Sequence, residues 1–145
     1  MSGRRARPLS FVVMLSGLAL VINACSATTS PAARQTITLS EWKVDVAATT
    51  LRAGQATFTI VNAGTMAHEL LVFRSDLEPS AYPTDSAGIK EDDPAITKVS
   101  DGDSIAPGSS LSRTVDLTSP GKYMFVCNLP GHFKLGMHTL VTVTS

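Results

Sequence analysis

The sequence predicts an all-β fold, a Greek-key sandwich of two sheets. Its short apolar or alternating runs have the composition of strands, Gly- and Pro-containing turns separate them, and helical periodicity is weak. Several short strands with this punctuation are typical of antiparallel sandwiches. The predicted strands are Thr36–Val46, Gln55–Asn62, His68–Arg74, Ser110–Leu117, Gly121–Cys127 and Met137–Thr144.

Alternation along the strands predicts which side chains face the core. Successive strand residues point to opposite faces, so Tyr123, Phe125 and Cys127 share one face. Lys122 lies on the other face and belongs in solvent, which directs Cys127 inward. By the same rule, His68 shares its face with apolar residues of its own strand. Both residues are therefore expected on core faces.

One long region, residues 75–104, lacks strand character and is predicted to be an insertion between strands. Within it, Asp93 and Pro94 have the character of a helix N-cap and first turn, which predicts a short helix through about Val99. A solvated surface is favoured over a calcium site, because no regularly spaced Asp/Asn/Gly loop is present. Insertions of this size often carry a partner-specific surface. Its acidic residues are Asp76, Glu78, Asp85, Glu91, Asp92, Asp93, Asp101 and Asp103.

The N-terminus has the features of an export signal. Three arginines precede an apolar run, Phe11–Ile22, that is too short to span a bilayer but suits a signal peptide, predicted over residues 1–24. The segment Ile22–Cys25 resembles a lipobox, which predicts lipid attachment at Cys25. An ordinary signal peptide and an uncleaved anchor are the alternatives.

The predicted mature chain begins with a flexible tether, residues 25–35, rich in Ser, Thr, Ala and Pro. A single domain follows at 36–145. We therefore expect an exported protein, lipid-anchored on the outer face of the cell membrane or in the periplasm, with the membrane as one partner.

Charge and cysteine content exclude some classes of partner and of metal site. The net charge of 0 falls to −3 when the leader and its three arginines are removed, which argues against a nucleic-acid partner. With Cys25 carrying lipid, Cys127 is the only remaining thiol in an oxidising compartment, and metal ligation would protect it. A single core thiolate also excludes a dinuclear copper centre with two bridging thiolates.

Four residues form a candidate metal site. Cys127, His132 and Met137 are equally spaced between two predicted strands, and His68 begins another. One thiolate, two imidazoles and one thioether are the ligand set of a blue-copper centre. Zinc is the alternative, but structural zinc prefers sets of Cys and His and rarely takes a thioether. The sequence therefore predicts one copper ion per chain.

These motifs resemble those of the cupredoxins, the family of small type 1 blue-copper proteins, over most of the chain after the leader. The similar parts are Cys127-x4-His132-x4-Met137 and the loop Asn62–Glu69. The resemblance implies a cupredoxin-like sandwich with His68, Cys127 and His132 as equatorial ligands and Met137 as the weak axial ligand. Many family members carry Asn where this chain has Glu69.

His138, next to Met137, is a further departure. We expect it to be an exposed strand residue, with a ligand role as the alternative.

Three functions remain open at this point. The first is a carrier of single electrons between extracytoplasmic redox partners by outer-sphere transfer. The second is a copper-binding or delivery protein without redox turnover. The third is an enzyme that uses Cys127 as a nucleophile or a zinc-bound water. The carrier is favoured, because a copper site without an obligatory open position suits electron transfer, and we expect neither enzymatic activity nor a small-molecule substrate.

The sequence also predicts where a redox partner docks. Small or apolar residues in the two ligand loops are expected to surround the outward edge of His132, and electron-transfer encounters use small interfaces. These residues are Gly64, Met66, Pro130, Phe133 and Leu135.

Overall fold

The computed structural model describes residues 33–145, which form strands joined by loops and two short 3-10 helices. The helices are Pro79–Ala81 and Phe133–Leu135. The strands are β1 (Ala33–Ser40), β2 (Lys43–Val46), β3 (Thr50–Arg52), β4 (Gly54–Asn62), β5 (Leu71–Arg74), β6 (Thr97–Ser100), β7 (Ser110–Leu117), β8 (Gly121–Val126) and β9 (His138–Thr144).

The strands assemble into two mixed sheets. The first sheet has the order β2-β1-β4-β7 and the second has the order β3-β9-β8-β5-β6. Two pairs, β1–β4 and β3–β9, are parallel, and the other pairs are antiparallel. The predicted all-β, two-sheet Greek-key sandwich is confirmed.

Alternating side chains of both sheets build the core between them. Along β4, the buried residues Phe58 and Ile60 alternate with exposed or half-exposed neighbours. Phe58 meets Phe125 of the other sheet edge to face, with ring centroids 5.4 Å apart. Edge-to-face aromatic pairs add to the energy of burying their surface. The core therefore joins the sheets directly below the ligand loops.

Strand β8 is buried on both of its faces. Tyr123, Phe125 and the following Cys127 lie in the sandwich core, as alternation predicted. Met124 and Val126, on the opposite face, lie in a second apolar cluster. The insertion supplies Tyr82, Ile89 and Ile96 to that cluster, so it covers the outer face of the second sheet. The expectation of a solvated insertion is thus wrong for these side chains.

The helix predicted after Asp93 is also wrong. The side-chain carboxylate of Asp93 accepts a hydrogen bond from Ala95 N at 3.0 Å, and the backbone carbonyl of Asp93 accepts one from Ile96 N at 3.2 Å. These two bonds form a turn. The chain then enters β6, which pairs antiparallel with β5. Pairing with a sheet edge outweighs the local helix signal. The insertion's described helix is the 3-10 turn Pro79–Ala81.

The predicted strand Thr36–Val46 is two strands that form a hairpin. A turn at Glu41–Trp42 separates β1 from β2, with Ser40 opposite Lys43. This turn carries no Gly or Pro, so no local pattern predicted it. Strand β1 begins at Ala33, three residues before the predicted strand.

The predictions for the N-terminus lie outside the described residues. They concern the signal peptide 1–24, the lipidation of Cys25 and the tether up to residue 32. From residue 33 onward, the chain has no helix with the length and apolar character needed to cross a membrane.

Candidate metal centre

Cys127 follows directly after β8, at the end of the sandwich where the second sheet opens into a loop. Its side chain is fully buried, and its backbone N–H donates to the carbonyl of Met137 at 3.1 Å. Met137 directly precedes β9, so this bond continues the β8–β9 pairing by one step. The two sulfur-bearing residues therefore stand side by side at the base of one loop.

Local hydrogen bonds fold the loop between them so that His132 returns to the site. His132 N donates to Leu129 O at 2.9 Å, and Met137 N donates to His132 O at 3.1 Å. The 3-10 helix Phe133–Leu135 lies between these contacts. Of the His132 surface, only 6% is exposed, which makes it the one described member of the site with contact to solvent.

His68 lies in the first ligand loop, Asn62–Glu69, which precedes β5. It forms a two-way backbone bridge with Ile105, through bonds of 3.2 and 2.7 Å. The buried side chain of Asn62 fixes the same loop: its Nδ2 donates to Met66 O and to Ile105 O, both at 2.8 Å, and its Oδ1 accepts from Gly64 N at 2.9 Å. Asn62 was not predicted to support the site, although a polar residue at a core-facing strand position indicates a structural hydrogen-bonding role.

Three potential ligand atoms converge in this region. Cys127 Sγ lies 3.2 Å from His132 Nδ1 and 4.0 Å from His68 Nδ1, and the two Nδ1 atoms are 3.3 Å apart. All three residues are buried. The predicted meeting of His68, Cys127 and His132 is confirmed. With the fully buried Met137 beside them, they form a type 1 copper-like site.

Burial sets the protonation of the donor groups. Loss of solvent raises the pKa of the Cys127 thiol, against the opposing hydrogen bonds from backbone N–H groups. Burial and then the nearby His68 lower the pKa of His132, which favours the neutral imidazole. Neutral imidazoles bind a metal readily, whereas the thiol must first lose its proton.

Glu69, the departure from the family pattern, still joins the two ligand loops through its backbone. Its N–H donates to Cys127 Sγ at 3.4 Å. The side chain is half-buried beside Glu91, and burial followed by that repulsion raises the pKa of the Glu69 carboxyl. The main chain of Glu69 thus connects the first ligand loop to Cys127.

His138 lies outside the cluster of ligand atoms. It begins β9, where it is half-buried, and its ring packs 5.3 Å from that of Phe133. Burial lowers the pKa of its imidazole. The expectation that this histidine is exposed is therefore wrong.

The turn Glu41–Trp42 covers the site from the first sheet. The Trp42 ring meets the His132 ring edge to face, with centroids 5.0 Å apart. Glu41 Oε1 lies 3.6 Å from His68 Nε2. Neither residue was predicted to lie at the site, because these contacts join positions that are far apart in the chain. The only weak signal was that the single Trp lies in a polar stretch.

Of the apolar residues predicted to surround His132, some are exposed and one is buried. Met66 is 45% exposed and Leu135 is 55% exposed, whereas Phe133 is buried in the second apolar cluster. Trp42, at 37% exposure, joins the exposed group. We call Trp42, Met66 and Leu135 the apolar rim from here on.

A family model for copper-binding proteins of the plastocyanin/azurin family matches residues 35–144. The chain belongs to this family. The match covers nearly all of the described sandwich and both ligand loops, so the predicted cupredoxin resemblance is confirmed. A search of curated proteins finds no match.

Solved structures share the fold at low sequence identity. The dithionite-reduced auracyanin of Roseiflexus castenholzii aligns with a TM-score of 0.56 at 24% identity, over 79% of this chain and 98% of its own. Auracyanin B aligns with a TM-score of 0.56 at 20% identity, over 80% and 91%. The McoA multicopper oxidase of Aquifex aeolicus aligns with a TM-score of 0.53 at 18% identity, over 81% of this chain but only 30% of its own.

The donor set fits copper. The converging atoms are two imidazole nitrogens and one sulfur, with a buried thioether residue next to them, and such soft donors select copper over hard ions. Zinc sites typically use further Cys or His residues, which the described cluster lacks.

Proposed function

We propose that this protein carries single electrons between extracytoplasmic redox partners, using one type 1 copper ion. The observation that carries the proposal is the convergence of His68 Nδ1, His132 Nδ1 and Cys127 Sγ, all on buried residues. Copper would supply the one-electron couple. In this proposal, His68, Cys127, His132 and Met137 would hold the ion.

The scaffold around these residues supports rapid electron transfer. Backbone hydrogen bonds fix all three ligand-bearing segments: the Ile105 bridge for His68, the Met137 carbonyl for Cys127 and the Leu129 carbonyl for His132. A preformed set of donors needs little rearrangement when the charge of the ion changes. Little rearrangement favours outer-sphere transfer over a reaction that makes bonds.

The state of Cys127 argues against an enzyme that uses this thiol. A nucleophilic cysteine needs a lowered pKa and a partly exposed, electropositive site. Here burial raises the pKa of a fully buried thiol. We therefore infer no catalytic role for Cys127.

We further propose that redox partners dock on the apolar rim. His132 is the ligand residue nearest to solvent, and Trp42, Met66 and Leu135 are exposed beside the loops that hold the site. An exposed group of apolar side chains suits a small, transient interface. Attachment to the membrane through Cys25 remains part of this proposal, and would hold the carrier near membrane-bound partners.

Copper loading followed by redox titration tests the proposal. The purified protein is mixed with one equivalent of Cu(II), its visible spectrum is recorded, and it is then cycled with a reductant and an oxidant. A carrier turns intensely blue, bleaches and recovers while its copper stays bound through repeated cycles. Stoichiometric loss of copper to a chelator of moderate affinity, without redox cycling, would instead indicate a delivery protein.

A further inference from the structure

The side chain of His68 has one nitrogen that the metal site does not use. Its Nδ1 points toward Cys127 Sγ and His132 Nδ1, whereas its Nε2 points away from them, toward the β1–β2 turn. Nε2 is fully buried and makes no hydrogen bond of standard length among residues 33–145. Buried polar atoms without a partner are rare, so this atom calls for an explanation.

The nearest acceptor to Nε2 is the carboxylate of Glu41, with Oε1 at 3.6 Å. Three donors hold that oxygen in place: Thr65 N at 2.6 Å, Met66 N at 3.0 Å and Thr65 Oγ1 at 3.2 Å. The hydrogen bond from Thr65 N, then one from the backbone N–H of Glu41 itself, and the bonds from Met66 N and Thr65 Oγ1 lower the pKa of Glu41 to about 2. The group is therefore a fixed carboxylate beside the ligand loop.

Gly64 leaves the space for this approach. A Cβ atom at position 64 would lie 2.6 and 2.9 Å from the two Glu41 carboxylate oxygens and 2.9 Å from His68 Nε2. Any larger residue would therefore separate the carboxylate from the imidazole. The geometry depends on three segments of the chain, the β1–β2 turn, residue 64 and His68.

The position of the remaining proton on the His68 ring explains why Nε2 needs the Glu41 carboxylate. A metal bound to Nδ1 of a neutral imidazole leaves the remaining proton on Nε2, which becomes a hydrogen-bond donor. In a buried position that donor needs an acceptor. Metal-binding histidines commonly donate this second N–H to a carboxylate or a carbonyl, which fixes the ring and makes it a stronger ligand.

We propose that Glu41 is a positioning residue that accepts the Nε2–H of His68 and tunes the copper site through it. This inference rests on the proposed function. A carboxylate acceptor adds negative charge to the imidazole, and that charge stabilises Cu(II) more than Cu(I). Glu41 therefore lowers the reduction potential and fixes the orientation of His68.

The test compares Glu41→Gln with Asp45→Asn in the copper-loaded protein. Both substitutions remove one negative charge from the same hairpin, but Asp45 pairs with Lys43 at the surface, at 2.8 Å. We expect Glu41→Gln to weaken the preference for Cu(II) over Cu(I) about tenfold, which raises the potential by about 59 mV for one electron. Asp45→Asn should change that preference less than about threefold. Equal shifts in the two variants would overturn the proposal.

A second measurement needs no variant. In the diamagnetic Cu(I) protein, ¹⁵N-edited NMR should detect a proton on His68 Nε2 that exchanges slowly with water. A bare Nε2, or a proton that exchanges as fast as that of an exposed imidazole, would contradict the role of Glu41. A chain that forms no blue site at all would instead contradict the proposed function, so the two failures are distinguishable.

Discussion

The side-chain amide of Asn128 pairs with both backbone polar groups of Ile89. Ile89 N donates to Asn128 Oδ1 at 2.7 Å, and Asn128 Nδ2 donates to Ile89 O at 3.1 Å. Because Asn128 directly follows Cys127, this pair fastens the insertion to the loop that carries three of the proposed ligands. Gly131 N, which donates to Ala87 O at 3.0 Å, adds a second attachment.

Breaking this pair should destabilise the fold. Asn128→Ala leaves both backbone groups of Ile89 without their partner in a partly buried site, so we expect the free energy of unfolding to fall by about 1–3 kcal/mol. Chemical denaturation of the apoprotein measures it. Asp92→Ala, at an exposed position of the same insertion, is the control and should change stability little. Equal stability of the two variants would show that the pair contributes nothing.

Gly88→Ala should act on the same pair from the other side. A Cβ at position 88 would clash with Asn128 Oδ1, and therefore the insertion or the amide must move. We expect Gly88→Ala to lower the free energy of unfolding of the wild-type protein, and to lower that of the Asn128→Ala variant much less. A double-mutant cycle measures this coupling. Additive effects would mean that the two residues act independently.

The sequence predicted the elements that local patterns define. Strand β7 has the predicted bounds, Ser110–Leu117, because its ends are marked by a Pro-Gly turn before it and a Pro-Gly turn after it. The ligand loop was recognisable for a similar reason, since Cys127, His132 and Met137 lie within one short segment.

The features that escaped sequence reasoning depend on contacts between distant segments. Strand β6 has polar residues and follows a helix-like start, and it becomes a strand only by pairing with β5. Glu41 and Trp42 reach the site only because β1 and β2 form a hairpin beside the first ligand loop. No local pattern encodes such an approach.

Truncating a core side chain should lower the free energy of unfolding more than breaking the Asn128–Ile89 pair. Phe58 is fully buried and packs against Phe125, so Phe58→Ala leaves a cavity between the sheets. We expect a loss of about 3–5 kcal/mol in unfolding free energy. Thr59→Ala, the next residue on the exposed face of β4, should be nearly neutral. A small effect of Phe58→Ala would mean that the sheets do not share one core.

The colour of the copper-loaded protein should separate the roles of the two sulfur residues. Cys127→Ser should abolish the intense visible absorption, because that transition belongs to a thiolate-to-Cu(II) charge transfer. Met137→Leu should keep most of the absorption and raise the potential, since a weak donor to Cu(II) is lost. Absorption spectroscopy and potentiometry measure both. A blue Cys127→Ser protein would exclude Cys127 as a ligand.

Lipid attachment at Cys25 is testable by fractionation of cells. Cys25→Ala should release the protein from the membrane or leave its leader uncleaved, because one short apolar leader gives no membrane span after processing. Mass spectrometry of the N-terminus distinguishes these products. Full membrane retention of a correctly processed Cys25→Ala protein would refute lipidation.

Charge on the apolar rim should slow electron exchange without altering the copper site. Leu135 suits this test better than Phe133, because Leu135 is 55% exposed whereas Phe133 is buried, and Phe133→Glu would disturb the fold. We expect Leu135→Glu to lower the rate of electron transfer to a native partner several-fold, because the negative charge must be desolvated on docking. Its visible spectrum should match that of wild type.

A matched control isolates this docking effect from net charge. Ala47→Glu adds the same charge at an exposed position just beyond β2, at the opposite end of that strand from Trp42. Stopped-flow mixing of each reduced variant with the oxidised partner, at two salt concentrations, gives the rates. If the partner docks on the rim, the Leu135→Glu deficit persists at high salt, where screening removes long-range repulsion, whereas any Ala47→Glu deficit disappears. Identical rates for the two variants at high salt would place the docking surface elsewhere on the protein.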